Sequence, residues 1–204
     1  MQLILGGPKS VIRRADPWDR LVGADVAGSS PREGVFLGRA IEARAPVQWS
    51  HAAMLKGEAA ETVLGPTAER LAARLDRQTL TIILAEPITR RHLSADNPPE
   101  GPLVRAMVLS SPVDGQDEPF NDWYSGRHIH DVLKVPGYVS AQRFRVVQGP
   151  EGPVLPWRYL AIYEIAAATY ETATAETARR SGGEQMPISP AAQRPLSAHY
   201  APDP

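Results

Sequence analysis

WRYLAIYEIAAATYET, residues Trp157 to Thr172, decides the fold. It opens with the period of a strand, Trp157, Tyr159, Ala161 and Tyr163 on one side and Arg158, Leu160, Ile162 and Glu164 on the other, then leads straight into a helix. The same passage occurs once more upstream. WSHAAMLKGEAAET, from Trp49, sets Trp49 on Trp157, Ala53 on Ala161 and Ala59-Ala60 on Ala167-Ala168. Working outward, LTIILAEPI from Leu80 lies over LSAHYAPDP from Leu196, and GVFLGRAIEAR from Gly34 over GYVSAQRFRVV from Gly137. Asp16-Pro17-Trp18 and Glu118-Pro119-Phe120 each open a helix with an acid, a proline and an aromatic. The chain is an internal repeat.

Each half therefore reads strand, helix, strand, strand, helix, strand. The elements fall at roughly 1–7, 16–24, 34–44, 49–56, 58–75 and 79–87, then 102–112, 118–134, 138–147, 157–165, 166–180 and 194–201. That order predicts an α+β fold of two ferredoxin-like βαββαβ units with antiparallel sheets. A unit with helices on one face only must bury the other, and the second copy in the chain is the nearest cover, so the sheets are expected face to face as an intrachain α/β barrel. The expected division is a first unit at 1–91, a linker at 92–101 in HLSADNPPEGP, and a second unit at 102–204. SGGEQMPISPAAQRP, from Ser181 to Pro195, reads as a loop or flap.

With 22 basic and 23 acidic residues, no broad field draws in nucleic acid or an anionic membrane. The absence of cysteine excludes disulfides, thiolate nucleophiles and cysteine-ligated metals. MQLILGGPKS reads as a first strand rather than a leader, and no apolar run is long enough to span a bilayer, so a soluble cytoplasmic protein is expected.

The sequence Phe120-Asn121-Asp122-Trp123-Tyr124, then His128, Val135-Pro136-Gly137-Tyr138, Arg143-Phe144-Arg145 and Tyr159 through Glu164 resembles the dimeric α/β-barrel superfamily, its EthD-like branch most closely, over about residues 102–170. The resemblance implies two ferredoxin-like units joined through their open sheet faces, here as a tandem duplication. The chain would be a monomeric pseudo-dimer or a homodimer. It further implies activities ranging over cofactor-free cyclases, isomerases, lyases and monooxygenases acting on aromatic, polyketide or lactone compounds, with haem-dependent and non-catalytic members beside them. The histidine of the family's helix maps onto His128, and His130 stands where family members commonly have proline.

If 118–134 is a helix, Phe120, Tyr124, His128 and Asp131 share one face and Trp123 lies beside them. A histidine between aromatic rings suits general acid–base work, with Asp131 one turn on to fix its tautomer. On the strand from Trp157, Leu160 and Ile162 suit the helix-covered side, which turns Tyr159 and Tyr163 into the barrel as donors to a developing oxyanion. The plain alternative for all these rings is a filled core. Arg105 and Arg143, on half-buried strands, need an acid, the rim or an anionic substrate group. His51, aligned with Tyr159, and His199 are further candidates to line the cavity, whereas His92 in the linker reads as solvated. His128 and His130 diverge on a helix and do not share a metal, and no dinucleotide, phosphate-loop or zincin motif is present. DPWDRLVGADVAGSSP, at the matching place in the first half, lacks histidine and tyrosine, so one site per chain is expected and Ala24, Gly28 and Ser29 only shape the fold.

These readings predict a cofactor-independent cyclase, isomerase or lyase acting on a small aromatic or polyketide-like carbonyl compound. His128, Asp131 and Tyr124 are its catalytic candidates, and Tyr159, Tyr163, Trp123, Arg105, Arg143, His51 and His199 its substrate-binding ones. The alternatives are a cofactor-free or haem-dependent monooxygenase in the same cavity, or a barrel that binds small molecules without turnover.

Overall fold

A computed structural model of the chain describes residues 1–6, 35–41, 44–46, 49–55, 76, 78–79, 81–96, 100–147 and 155–202. The helices expected at 16–24 and 58–75, and with them the stretch holding Ala24, Gly28 and Ser29, lie outside the described residues. The chain divides into two compact units, Met1–Ala85 with Ala198–Pro204, and Glu86–Ser197. The division falls ahead of the stretch expected as a linker, and the last seven residues go with the first unit.

In the first unit, β1 (Gln2–Gly6), β2 (Val35–Ala40), β3 (His51–Leu55) and β4 (Thr81–Pro87) form an antiparallel sheet in the order β4-β1-β3-β2. The register puts Ile83, Leu3, Met54 and Phe36 side by side across all four strands. All four are buried, and this row is the reason for the register, since a slip of one residue would turn every one of them over. The end of β9 (Leu196–Pro202) adds to β2 through Tyr200, Ala201 and Pro202.

The second unit holds β5 (His92–Leu93), β6 (Leu103–Ser110), β7 (Tyr138–Val147) and β8 (Tyr159–Ala166) in the order β6-β8-β7-β5, antiparallel throughout. Between β6 and β7 runs one helical rod: α1 (Asp117–Trp123), a π-helical turn (Tyr124–His128) and α2 (Ile129–Leu133). A 3-10 turn (Ala167–Thr169) and α3 (Tyr170–Arg180) follow β8. The rod ends at Pro136-Gly137, where Gly137 has φ 98° and packs so closely on Thr169 that a Cβ would collide with that side chain.

Every residue of β8 is buried, so the strand is covered on both faces. Tyr159 and Tyr163 point toward the rod, with the Tyr159 hydroxyl on Asp117 and the Tyr163 hydroxyl on Tyr124. This corrects the expectation that Leu160 and Ile162 would face the helices: the alternation holds and its phase is reversed. The start of the stretch expected as linker, 92–94, is instead a sheet edge, which begins at Ile88. Ile88 donates to the Arg143 carbonyl, Ser94 to that of Val139, and His92 pairs with Ala141. Among the described residues, no helix is long and apolar enough to cross a membrane.

Candidate functional site

The site is built where β7 and β8 meet the helical rod. Arg143 pairs across the sheet with Ala161, and the small alanine, flanked on β8 by Tyr159 and Tyr163, leaves a slot for the guanidinium under the rod. There Arg143 is 0 % exposed. Its guanidinium carbon lies 4.2 Å from the Tyr124 ring centre, 5.3 Å from that of Tyr159 and 5.4 Å from that of Phe120. Nη1 donates to Ser125 Oγ, Nη2 donates to Asn121 Oδ1 at 3.0 Å, and Nε, also buried, has no partner among the described residues. A buried cation ordinarily meets an acid. Here rings and neutral oxygens stand in its place, and burial lowers the guanidinium's value while it remains a cation.

The rod supplies two parallel rows at spacing four. Phe120, Tyr124 and His128 form the aromatic row, Asp117, Asn121 and Ser125 the polar one. The π turn then alters the second turn of the aromatic face. In an α-helix, residues five apart point well away from each other, but the wider turn brings His128 onto Trp123, with ring centres 4.6 Å apart and planes at 28°. His128 also meets Tyr124 edge-on at 4.9 Å. Its Nδ1 is buried without a hydrogen-bond partner among the described residues. Burial holds the imidazole at about 4, with the negative charge of Asp131 opposing it and the positive charge of Arg143 adding to it, so it is neutral at pH 7. The Tyr163 hydroxyl donates to that of Tyr124 at 3.3 Å, and burial raises both phenols, that of Tyr163 the more.

The structure thus gathers His128, Tyr124, Trp123, Tyr159, Tyr163 and Arg143. Other candidates go elsewhere. Asp131 accepts from Lys134 at 2.9 Å and Arg127 at 3.3 Å, one turn to either side, and leaves His128 Nδ1 unbonded, so it does not orient the histidine. Arg105 lies on the opposite face of the sheet and pairs with Glu164 at 2.7 Å. Arg91 and Ser140 also reach Glu164, and although burial alone would raise this carboxyl, Ser140 and the two arginines hold it at about 2. His51, buried against Ser50 Oγ at 3.0 Å, and His199, lowered to about 4 by burial and Arg44, belong to the first unit. His130 turns away from His128 and meets His92 edge-on at 4.8 Å, so His92 is half-buried rather than solvated.

Asp117, Asn121 and Ser125 were missed by sequence reasoning, although their spacing of four beside the aromatic row is a usable signal. The stretch Ser181–Pro195 is anchored over the rod: Trp123 Nε1 donates to the Pro187 carbonyl at 3.0 Å, Met186 is buried, and Gln193 donates to the Ser111 carbonyl. A groove of about 320 Å³ on the other side of the rod, lined by Leu93, Asp96, His130, Leu133 and Lys134 among others, touches none of Arg143's partners. Among the described residues, no group of three or more His, Asp or Glu could hold a metal ion. Haem fits poorly here, because the imidazole that would ligate iron is wedged between Trp123 and Tyr124 in a layer packed with side chains.

No family model matches the chain, and no curated protein does. Solved structures do. An anthrone oxidase-like protein superposes with a TM-score of 0.55 at 12 % identity, covering 98 % of this chain and 90 % of its own. A candidate monooxygenase from Lactobacillus acidophilus gives 0.53 at 11 % identity, covering 100 % and 93 %. Another candidate monooxygenase, from Fusobacterium nucleatum subsp. nucleatum, gives 0.54 at 8 % identity, covering 100 % and 91 %. At these identities the likeness is one of fold, an antiparallel α+β architecture that these proteins share with this chain over nearly all of its length.

Proposed function

We infer that this protein is an oxygen-using enzyme that oxidises a small aromatic or polyketide-like compound without a cofactor, in the layer between the rod and the sheet of the second unit. The chain is read as two ferredoxin-like units in tandem, as in the dimeric α/β-barrel superfamily. The order β4-β1-β3-β2 of the first unit and the single helix-covered face of the second support that reading. The oxidase-like and monooxygenase-like names among the structural neighbours favour oxidation over cyclase or lyase chemistry.

The observation that carries the function is Arg143: a buried guanidinium among rings, with no acid and with Nε unbonded, beside a neutral histidine whose Nδ1 is also unbonded. Such a pair suits a substrate that becomes an anion. His128 takes a proton from an acidic CH2 flanked by aromatic rings, and Arg143 Nε and the Tyr124–Tyr163 hydroxyls stabilise the enolate oxygen. The enolate gives an electron to dioxygen, the radical pair combines to a peroxide, and the proton returns from His128. Loss of water then leaves the ketone, so CH2 and O2 become C=O and H2O. The layer is closed around Arg143, and Ser181–Pro195 is the flap whose movement admits substrate.

The test is oxygen uptake by the purified protein, without added cofactor, with anthrone and 1,8-dihydroxyanthrone as probes, each carrying a CH2 between two aromatic rings. Uptake is expected, falling about 100-fold or more in His128→Gln and in Arg143→Met. Binding of both probes without uptake would make the protein a binder. Turnover under nitrogen would move the reading to oxygen-free proton transfer, which the paired tyrosine hydroxyls would serve equally well.

A further inference from the structure

Arg143 is joined to a carboxylate after all, at a distance of three hydrogen bonds, and chemistry fixes the direction of each link. A guanidinium only donates, so the Asn121 atom it meets at 3.0 Å is the carbonyl Oδ1. The amide's Nδ2 then donates to the backbone carbonyl of Asp117 and to the Tyr159 hydroxyl oxygen, both at 2.8 Å. Tyr159 has one proton, and it goes to Asp117 Oδ1 at 3.0 Å. Arg158 pairs with the other carboxylate oxygen of Asp117. No amide flip or hydroxyl rotor remains free, so the dipoles run head to tail from carboxylate to guanidinium and reinforce one another. The other ionisable groups against Arg143 are neutral at pH 7: the phenols of Tyr124 and Tyr163, and His128.

We propose that Asp117 is the remote counter-ion of Arg143, a positioning residue that acts through Tyr159 and Asn121 to hold the guanidinium with Nε as its free donor. Its charge damps the pull of Arg143 on an anionic oxygen, and Arg158 offsets that damping. The inference rests on the reading of Arg143 as an oxyanion site.

Two variants separate charge from shape. In Asp117→Asn the amide oxygen still accepts from Tyr159, so the chain keeps its form and loses its charge. In Arg158→Met the charge of Asp117 is left unopposed. The probe is 4-nitrophenol, whose colour reports its ionisation when bound. Wild type is expected to lower the bound probe's pKa and Arg143→Met to abolish that lowering. Asp117→Asn should lower it further, and Arg158→Met should raise it, by about half a unit each, or about threefold in the ratio of phenolate to phenol. A merely structural role would move both variants the same way, and that result, or no movement in either, overturns the proposal. If wild type and Arg143→Met give the same value, the oxyanion reading falls instead. The relay is then decided without ligand, by the unfolding of Asp117→Asn, Arg143→Met and the double variant. Losses smaller together than their sum carry the relay, and additive losses overturn it.

Discussion

The two faces of the second unit's sheet each bury one charge, and they treat it in opposite ways. On the face away from the rod, Glu164 is met by Arg91, Arg105 and Ser140, two full positive charges and a hydroxyl for one carboxylate. On the face toward the rod, Arg143 receives an amide oxygen, a hydroxyl and three aromatic rings, and one of its nitrogens receives nothing. The first arrangement is complete, and its interactions all hold the fold. The second leaves part of a buried cation's capacity unused, and that deficit is what the proposed oxyanion would fill.

The largest effect that tests this contrast is in stability. Glu164→Ala would strand two arginines beside each other, one of them with only 21 % of its side chain exposed, and should cost about 3 kcal/mol in denaturant unfolding. Arg143→Met fills the same slot with an apolar chain among rings and should cost no more than about 1 kcal/mol. Oxygen uptake should show the reverse order, with Arg143→Met the more damaging. If Arg143→Met were the less stable of the two, Arg143 would be the structural ion and the contrast would collapse.

Acid unfolding sharpens the same comparison, because the two faces titrate in different windows. The folded value of Glu164, about 2, lies below its ordinary 4.5, so the unfolded chain binds more protons between those values and stability falls as pH drops through them. His128 is buried neutral at about 4 against an ordinary 6.5, so here too the unfolded chain binds the extra proton, but stability falls between about pH 6.5 and 4. Urea midpoints measured from pH 7.5 to 3 should therefore flatten in the upper window for His128→Gln, with His199 retaining part of that slope, and only in the lower window for Glu164→Gln. An unchanged upper slope in His128→Gln would mean that the imidazole protonates freely in the fold.

Much of this was legible. The alignment anchored on Trp49 and Trp157 located every described strand except β5, and the rod at 117–133 was expected at 118–134. What could not be read has physical causes. On β8 the residues of both faces are buried, so apolar character could not say whether Tyr159 or Leu160 faces the rod, and only the hydroxyl partners decide it. The π turn breaks the 3.6-residue period, which puts His128 on Trp123 and takes it off any line leading to Asp131. Arg143 was recognisable as an arginine in need of a partner. That its partners would be neutral depended on Asn121 and Ser125, whose roles follow only once a strand is known to lie beneath them.

The smallest expected effect concerns how the second face opens. Trp123 serves both sides of its position: its ring carries His128, and its Nε1 ties Pro187 to the rod. Trp123→Phe keeps an aromatic surface under the imidazole and removes the donor, so stability should fall by about 1 kcal/mol or less. The change should instead appear in amide exchange, faster in the segment around Met186 and Pro187 while β6, β7 and β8 keep their protection. If exchange quickens equally across the sheet, the tie holds the whole layer together and Ser181–Pro195 is not a separate flap. If only the segment quickens, and probes for Arg143 then bind faster with unchanged affinity, the flap controls the route to the under-partnered charge and contributes little to holding it in place.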